Sequence, residues 1–183
     1  MDKIVFVDRD GVINKYPGNF KYVTAWRYFE FLPGVKKAIK RLNNARFKIF
    51  IISNQAGVSK GLYSQEALDK LTHNMLTGIE SYGGKINGVY YCIHRDQDHC
   101  SCRKPKPGLI KKALKEHGFP KKQLKKAFMI GDSIRDIQTG KNAGCRTILV
   151  LSGREKLKDR KTWQTQPDFI VKDLSKATDI LLI

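Results

Sequence analysis

Two aspartates one residue apart follow the first apolar run of the chain, Asp8 and Asp10 in IVFVDRDGVIN. If the backbone is still extended there, both side chains point to the same face, because side chains alternate along a strand. Carboxylates held this close repel each other, so they need a cation or raise each other's pKa. Such a pair could supply a nucleophile and a proton carrier. A turn or a helix cap is the alternative explanation for a lone Asp-x-Asp.

Two further apolar runs also end in polar residues. IFII leads into Ser53, Asn54 and Gln55, and FMI leads into GDSIRD, which contains Asp132 and Asp136. If these runs are parallel strands, their carboxyl ends meet at one edge of a sheet. A turn or a cap would then have to explain three sites at once, so we expect one shared cleft.

The residue types in this cleft are typical of phosphate chemistry. A hard divalent cation, most simply Mg²⁺, would neutralise Asp8 and Asp132 and leave positions for water and phosphate oxygens. One carboxylate could attack phosphorus while another gives a proton to the leaving oxygen and later takes one from water. The phosphoryl oxygens need donors, which Ser53 and the ammonium of Lys104 or Lys106 would supply.

Apolar runs alternate with helix-like stretches along the whole chain. We predict strands at residues 4–7, 47–52, 89–93, 127–130, 147–151 and 168–171. We predict helices at residues 34–46, 64–81, 107–117, 133–142 and 174–182. This alternation predicts an α/β fold, a Rossmann-like doubly wound parallel sheet in a single domain over residues 1–183. Residues 153–166 lack periodicity, and we expect a mobile surface connection there.

The four polar signatures resemble the motifs of the haloacid dehalogenase-like phosphohydrolases. DRDGVIN, SNQ, the lysine of CRKPKPG and GDSIRD occur in the family's order and cover nearly the whole chain. The resemblance implies that Asp8 is the nucleophile, forming an aspartyl-phosphate, and that Asp10 is the general acid and base. It also implies that Ser53 and Lys104 hold the phosphoryl group. Mg²⁺ would be held by Asp8, Asp132 and the backbone carbonyl of Asp10.

Three other residues within these motifs also have expected roles. By resemblance, Asp136 supports the site from behind the metal ligands, although an ordinary helix residue is the alternative. We expect Asn54 and Gln55, which follow the phosphate-binding serine, to contact the substrate.

Three of the four cysteines lie close to a histidine, as Cys92, His94, Cys100 and Cys102. Three thiols and one imidazole form a complete tetrahedral zinc set with no open position for catalytic water. We therefore predict a structural Zn²⁺ site rather than a disulfide framework. His99 is the rival ligand to His94, and reduced cysteines without a metal are the alternative.

The predicted zinc loop, residues 92–102, leads directly into Arg103 and Lys104. Zinc would hold the loop and direct both cations at the substrate phosphate. A zinc loop before CRKP is similar to the family branch that contains D-glycero-D-manno-heptose 1,7-bisphosphate 7-phosphatases and histidinol-phosphate phosphatases. In that branch the residue matching Arg103 contributes to substrate recognition. Cys145, beside Gly144 before a strand, is expected to be a core residue.

The space between the first two motifs limits the substrate. Only 38 residues, 15–52, separate DRDGVIN from SNQ, too few for a large cap domain once a helix and a strand are subtracted. We therefore expect an open site for a small phosphorylated metabolite. The aromatic residues of the first segment should mostly pack, with one or two facing the substrate: Tyr16, Phe20, Tyr22, Trp26, Tyr28 and Phe29. KPKPG resembles the heptose branch more than the histidinol branch, which implies the heptose bisphosphate as substrate, and histidinol phosphate remains the alternative.

Thirty-five basic and seventeen acidic residues give a formal net charge of +18. A nucleic-acid 3′-phosphatase would share the motifs and explain this charge, and its binding would weaken steeply with salt. Solvated helix faces are the favoured explanation, because apolar residues interleave the lysines. A zinc-stabilised binding module without activity ranks last, since both aspartates are present. We expect a monomer, and we expect it to be cytoplasmic because no apolar run approaches a membrane span or a secretory signal.

Overall fold

Six parallel strands form one sheet in the computed structural model, which describes residues 3–19 and 21–183. The sheet order is β3-β2-β1-β4-β5-β6. The strands are β1 (Lys3–Val7), β2 (Phe47–Asn54), β3 (Gly88–Cys92), β4 (Phe128–Gly131), β5 (Arg146–Val150) and β6 (Phe169–Val171). In the centre, Val5 lies between Ile49 of β2 and Phe128 of β4.

Helices connect most of these strands. They are α1 (Val35–Asn44), α2 (Gln65–Glu80), α3 (Gly108–Glu116), α4 (Ile134–Ala143) and α5 (Leu174–Leu181). Each carries apolar residues at helical spacing on the side that is buried. Ser64 caps α2 by accepting a hydrogen bond from the amide of Ala67, and Gly144 ends α4 with a positive φ of 86°.

The core lies on both faces of the sheet because side chains of the buried strands alternate. Val5 and Val7 of β1 pack on the side of α1, α2 and α5. Ile4 and Phe6 pack on the opposite side, against α3. A doubly wound sheet follows from this two-sided burial, as the continuous apolar runs predict.

The predicted α/β fold is confirmed, with every predicted strand and helix present to within a few residues. Residues 153–166, expected to form a mobile surface connection, are partly ordered by local structure and by one buried side chain. They contain a 3₁₀ turn at Leu157–Thr162, and Trp163 is buried against Ile137 and Leu149. A single buried indole gives no periodic signal, which is why the sequence pattern did not reveal this anchor. Across the described residues, no helix combines the length and the apolar character that crossing a bilayer requires.

Candidate active site

The polar ends of three adjacent strands meet in one cleft. Asp8 follows β1, Ser53 lies near the end of β2, and Asp132 follows β4. The chain winds outward from β1 to β3 and then crosses to β4, so the cleft lies where the winding direction changes, the usual place for a ligand. Its volume is about 300 Å³, and its lining includes Asp10, Lys104 and Asp136. The convergence predicted from the sequence is therefore present.

Lys104 lies between two carboxylates at the base of the cleft. Its ammonium is 2.9 Å from Asp8 Oδ2 and 2.5 Å from Asp136 Oδ1. All three side chains are buried, and Asp136 and Lys104 are 0% and 3% exposed. Burial raises the pKa of Asp8 to about 6, although the charge of Lys104 opposes the shift. The pKa of Lys104 also lies above its usual value, because the two carboxylates outweigh the cost of burial.

Asp132 is the third carboxylate of the group. Its Oδ2 accepts a hydrogen bond of 2.8 Å from the amide of Arg154, and its carboxylate lies tightly against Gly11 and Gly153. A Cβ atom at either glycine would overlap the Asp132 side chain. Burial, followed by the charges of Asp136 and Asp8, raises the pKa of Asp132 well above its ordinary value. Within the described residues no ammonium or guanidinium forms a salt bridge with it.

This donor set fits a divalent cation. Oxygens of Asp8, Asp132 and Asp136 lie within 4.8 Å of one another, and a single ammonium contacts two of the three groups. Carboxylate oxygens are the ligands that Mg²⁺ prefers, and a cation would offset the repulsion that raises the pKa values. Asp8 and Asp136 both contact Lys104, whereas Asp132 has no cationic partner among the described residues, so Asp132 has the greatest need of a cation.

Asp10 is held as an acceptor by three side chains. Arg9 donates from Nε and Nη2 at 3.1–3.2 Å, Asn14 donates at 2.9 Å and Gln55 donates at 3.0 Å. The Asp10 side chain stays 21% exposed and lines the cleft beside Asp8. Asp10 therefore has a fixed position from which it can exchange protons with a bound group.

Arg9 is a structural component of the site that the sequence reasoning missed. Its side chain is 0% exposed, with the guanidinium on Asp10 and Gln55 and 5.6 Å from the ring centroid of Tyr91. The alternation of side chains along the strand, which predicts that Asp8 and Asp10 share a face, also predicts the position of Arg9. If residues 8 and 10 face the cleft, residue 9 must point away from it, and a buried arginine needs an anionic partner.

The structure separates the roles of Ser53, Asn54 and Gln55. Ser53 lines the cleft, whereas Gln55 is 1% exposed and its amide donates to both Asp10 and Ser53. Asn54 also lines the cleft, and its side chain forms a reciprocal pair with the backbone of Lys104 at 3.0 and 3.2 Å. Gln55, predicted to contact the substrate, is not among the residues that line the cleft, and its side-chain oxygen and nitrogen are already hydrogen-bonded within the protein.

The predicted zinc ligands converge. Sulfur and nitrogen atoms of Cys92, His94, Cys100 and Cys102 lie 3.2–3.6 Å apart. A tetrahedral zinc site with Zn–S of about 2.3 Å and Zn–N of about 2.0 Å needs ligand separations of about 3.5–3.8 Å, so these four atoms fit the ion. His99, the rival ligand, is outside this group.

The three thiols of the cluster differ in pKa: burial raises the pKa of Cys92 to about 12 and that of Cys102 above its ordinary value, whereas the pKa of Cys100 is lowered. Burial alone would raise the pKa of the Cys100 thiol, but hydrogen bonds from Cys102 and from backbone amides lower it to about 7. A thiol that ionises readily is a better metal ligand. Cys145 lies apart from the group, buried in the core beside α3, as predicted.

The loop that carries the cysteine cluster positions two cationic side chains, Arg103 and Lys104, at the cleft. Arg103 contacts Asp96 at 2.5 Å and the carbonyl of His94 at 3.2 Å, and Lys104 follows it into the cleft. Arg103 also lines the cleft together with four other cations: Lys21, Lys60, Arg135 and Arg154. The base of the cleft is therefore acidic, whereas its rim is basic.

The segment between the first two motifs forms part of the rim. Tyr16 and Tyr22 line the cleft, while Trp26, Phe29 and Phe31 pack against one another. Tyr28, which was expected to pack or to face the substrate, is instead 59% exposed and outside the lining of the cleft. Phe20, included in that expectation, lies outside the described residues.

The parallel sheet with carboxylates at its strand ends is an arrangement found in phosphate hydrolases. Comparison with known proteins identifies the family. A family model described as HAD-hydrolase-like matches residues 101–177. The chain belongs to the haloacid dehalogenase-like hydrolases. It is 36% identical over 169 residues to the D-glycero-beta-D-manno-heptose-1,7-bisphosphate 7-phosphatase of Helicobacter pylori, covering 92% of this chain and 94% of that protein. The enzyme of the same name from Haemophilus ducreyi is 35% identical over 160 residues, 83% of this chain and 85% of that protein.

Solved structures agree with these relatives. The crystal structure of D,D-heptose 1,7-bisphosphate phosphatase from B. bronchiseptica, complexed with magnesium and phosphate, superposes with a TM-score of 0.88 at 29% identity and covers 98% of both chains. The family and the phosphatase class predicted from the sequence motifs are confirmed. Residues 3–19 and 21–183 contain no large cap domain, in agreement with the prediction.

Proposed function

We propose that this protein is a magnesium-dependent phosphatase that removes the 7-phosphate of D-glycero-β-D-manno-heptose 1,7-bisphosphate. The observation that carries the proposal is the cleft itself, with three carboxylates and one ammonium at its base and five cations around its rim. An acidic base suits a metal and a nucleophile. A basic rim suits a substrate with a second anionic group.

Asp8 is the proposed nucleophile. One oxygen of its carboxylate forms a bond to phosphorus, and the bond between phosphorus and the sugar oxygen breaks. Asp10 gives a proton to the departing sugar oxygen. It then takes a proton from a water molecule that attacks phosphorus, and the bond to Asp8 breaks to release phosphate. The amide of Arg9, 2.7 Å from Asp8 Oδ1, and the bonds to Asp10 keep both carboxylates in place.

Ser53 and Lys104 are the proposed donors to the phosphoryl oxygens. Both side chains are buried in the wall of the cleft, at 2% and 3% exposure, so their dipole and charge are poorly screened by water. Asp8, Asp132 and the backbone carbonyl of Asp10 would hold Mg²⁺, which supplies charge neutralisation at the phosphoryl group when bound. The separation between Lys104 and Asp8 is 2.9 Å, so the ammonium already contacts the group that becomes phosphorylated.

The cysteine cluster has a structural role in this proposal. Zn²⁺ on Cys92, His94, Cys100 and Cys102 would fix the loop that carries Arg103. All four protein ligands are supplied, so no ligand position remains for catalytic water.

The charge of the rim favours a bisphosphate over histidinol phosphate. Lys21, Lys60, Arg135 and Arg154 make no salt bridge within the described residues, and Asp96 is the acidic group on the rim, paired with Arg103. A protonated amine would be repelled by this surface, whereas a second phosphate would be attracted to it. The curated relatives carry the name of the bisphosphate substrate.

The deciding experiment compares three substrates with magnesium present: the heptose 1,7-bisphosphate, the heptose 7-phosphate and histidinol phosphate. We expect the highest kcat/KM for the bisphosphate and at least about tenfold less for the 7-phosphate, since the rim then binds no second anion. Asp8→Asn is the control and should abolish turnover of all three. Equal rates for the two heptose substrates would refute the role of the rim, and turnover by Asp8→Asn would refute the covalent mechanism.

A further inference from the structure

A second polar cleft lies at the opposite edge of the sheet from the catalytic residues. It is lined by Asn43, Arg46, Phe47, Lys48, Lys85 and Asn87, and its volume is about 310 Å³. Phe47 begins β2, whereas Ser53 lies near the other end of the same strand. At about 3.3 Å per residue, six residues of parallel strand separate the two clefts by about 20 Å. A ligand of this cleft would therefore not contact the catalytic carboxylates.

Three cations surround this cleft, namely Arg46, Lys48 and Lys85. Within residues 3–19 and 21–183, none of them forms a salt bridge. No acidic residue belongs to the lining. Three like charges around one concave surface repel each other unless an anion binds between them.

The backbone around the cations is fixed by two asparagines. Asn43 Oδ1 accepts a hydrogen bond of 2.6 Å from the amide of Lys85, and Asn43 Nδ2 donates to the Lys85 carbonyl at 3.1 Å. Asn87 Oδ1 accepts from the amide of Ile49 at 2.9 Å. These bonds join the end of α1 to the starts of β2 and β3. The cleft is consequently built into the fold before any ligand arrives.

Arg46 has a backbone conformation that its side chain disfavours. It follows the end of α1 with a φ of 63°, in the left-handed region where helix ends usually carry glycine or asparagine. Its amide still donates to the carbonyl of Asn43 at 2.9 Å. A glycine here would adopt this conformation without strain, so the arginine side chain is retained at a cost to stability. Because the strained backbone of Arg46 places its cationic side chain beside the cleft, we infer that this side chain binds a ligand.

We propose that this cleft binds a compact oligophosphate group, either free or as part of a nucleotide. Phosphate oxygens match a guanidinium and two ammonium groups in charge, and Arg46 can donate two parallel hydrogen bonds to one phosphate. The volume lies within the usual range for a small-molecule site. The catalytic cleft is also lined by lysines, Lys21 and Lys60 among them, but its lining contains acidic groups as well, whereas this lining contains none.

The test is a titration of the whole protein with tripolyphosphate, followed through backbone amide NMR signals in buffer without magnesium. We expect shifts at Lys48, Lys85 and Asn87 that are distinct from any shift at Gly11, because the basic rim of the catalytic cleft also attracts phosphate groups. The concentration dependence of the shifts at Lys48 and Asn87 then gives the affinity of this cleft in the wild type and in three variants: Arg46→Gly, Lys85→Gln and the control Lys111→Gln, which removes an exposed charge on α3. Each cleft variant should bind about tenfold more weakly, and the control within about twofold of the wild type.

Arg46→Gly separates binding from folding, since its melting temperature should equal or exceed that of the wild type. Shifts confined to the catalytic edge, or unchanged affinity in both cleft variants, would overturn the proposal. A parallel titration with ATP distinguishes the two sources of the ligand, because tighter binding than tripolyphosphate with shifts in the same cleft would identify a nucleotide. Tighter binding of a ten-nucleotide single strand would instead indicate a nucleic-acid surface and overturn the assignment to a compact ligand.

Discussion

Replacing Asp8 with asparagine is expected to stabilise the magnesium-free protein at neutral pH while it abolishes turnover. Asp8 is buried, and burial raises its pKa from the ordinary 3.8 to about 6. The folded state therefore holds the proton of this carboxyl more tightly than the unfolded state does. Ionising Asp8 consequently lowers the stability of the fold, and the loss grows as the pH rises from about 4 to about 6.

The magnitude follows from the two pKa values. A rise from 3.8 to about 6 corresponds to about 3 kcal/mol of lost stability once the carboxyl is ionised in the folded protein. Asparagine resembles the protonated acid in shape and has no charge to bury. Asp8→Asn should therefore be about 3 kcal/mol more stable than the wild type at about pH 7 and nearly equal to it at about pH 4. For a chain of this length, the difference corresponds to a melting temperature roughly 5–10 °C higher.

The assay is urea denaturation of the wild type and Asp8→Asn at several pH values, without magnesium and without a chelator, so that any metal on the cysteine cluster is retained. Adding Mg²⁺ should reduce the difference, because the cation stabilises the wild-type carboxylates and has one fewer ligand in the variant. A variant less stable than the wild type at neutral pH would refute the reasoning. So would a difference that does not change with pH.

Three further predictions follow from other contacts of the site. Arg9→Gln should lower kcat about 10–100-fold with little change in KM, because Asp10 loses its charged support, and steady-state kinetics would reveal a binding role if KM rose instead. Gly153→Ala should raise the Mg²⁺ concentration needed for half activity at least about tenfold, because the new methyl group displaces Asp132, and an unchanged requirement would exclude Asp132 as a ligand. Cys102→Ser should lose bound zinc in elemental analysis and lower the melting temperature, whereas full zinc content would show that the ligands are misassigned.

The fold was largely predictable because its signals are local. Six short apolar runs and five amphipathic stretches each carry their own periodicity, and parallel pairing follows from their alternation. The convergence of Asp8, Ser53 and Asp132 follows from the same pattern, since carboxyl ends of parallel strands share one edge.

The supporting contacts were not predictable in the same way. Gln55 directly follows the end of β2, and nothing in its neighbours along the chain shows that its amide bonds to Asp10, 45 residues earlier. The pair between Asn54 and the backbone of Lys104 depends on how the loop after β3 returns to the sheet. Trp163 is buried for a similar reason, as an isolated residue in a charged segment. Such contacts depend on tertiary geometry rather than on local pattern.

Because Arg9 is fully buried, the inner part of the cleft is held rigidly, whereas the rim is free to move. The Arg9 guanidinium holds Asp10 and Gln55 from the interior of the protein and cannot leave without exposing the sheet, so the bonded amides of Arg9 and Gln55 should exchange hydrogen slowly. The rim is different, because Lys21 and Arg135 are exposed on loop and helix surfaces and few buried contacts fix them. Substitutions on the rim can therefore alter which phosphate ester is accepted while the reacting groups keep their geometry. Substrate preference and catalytic power are thus separable by mutation in this protein.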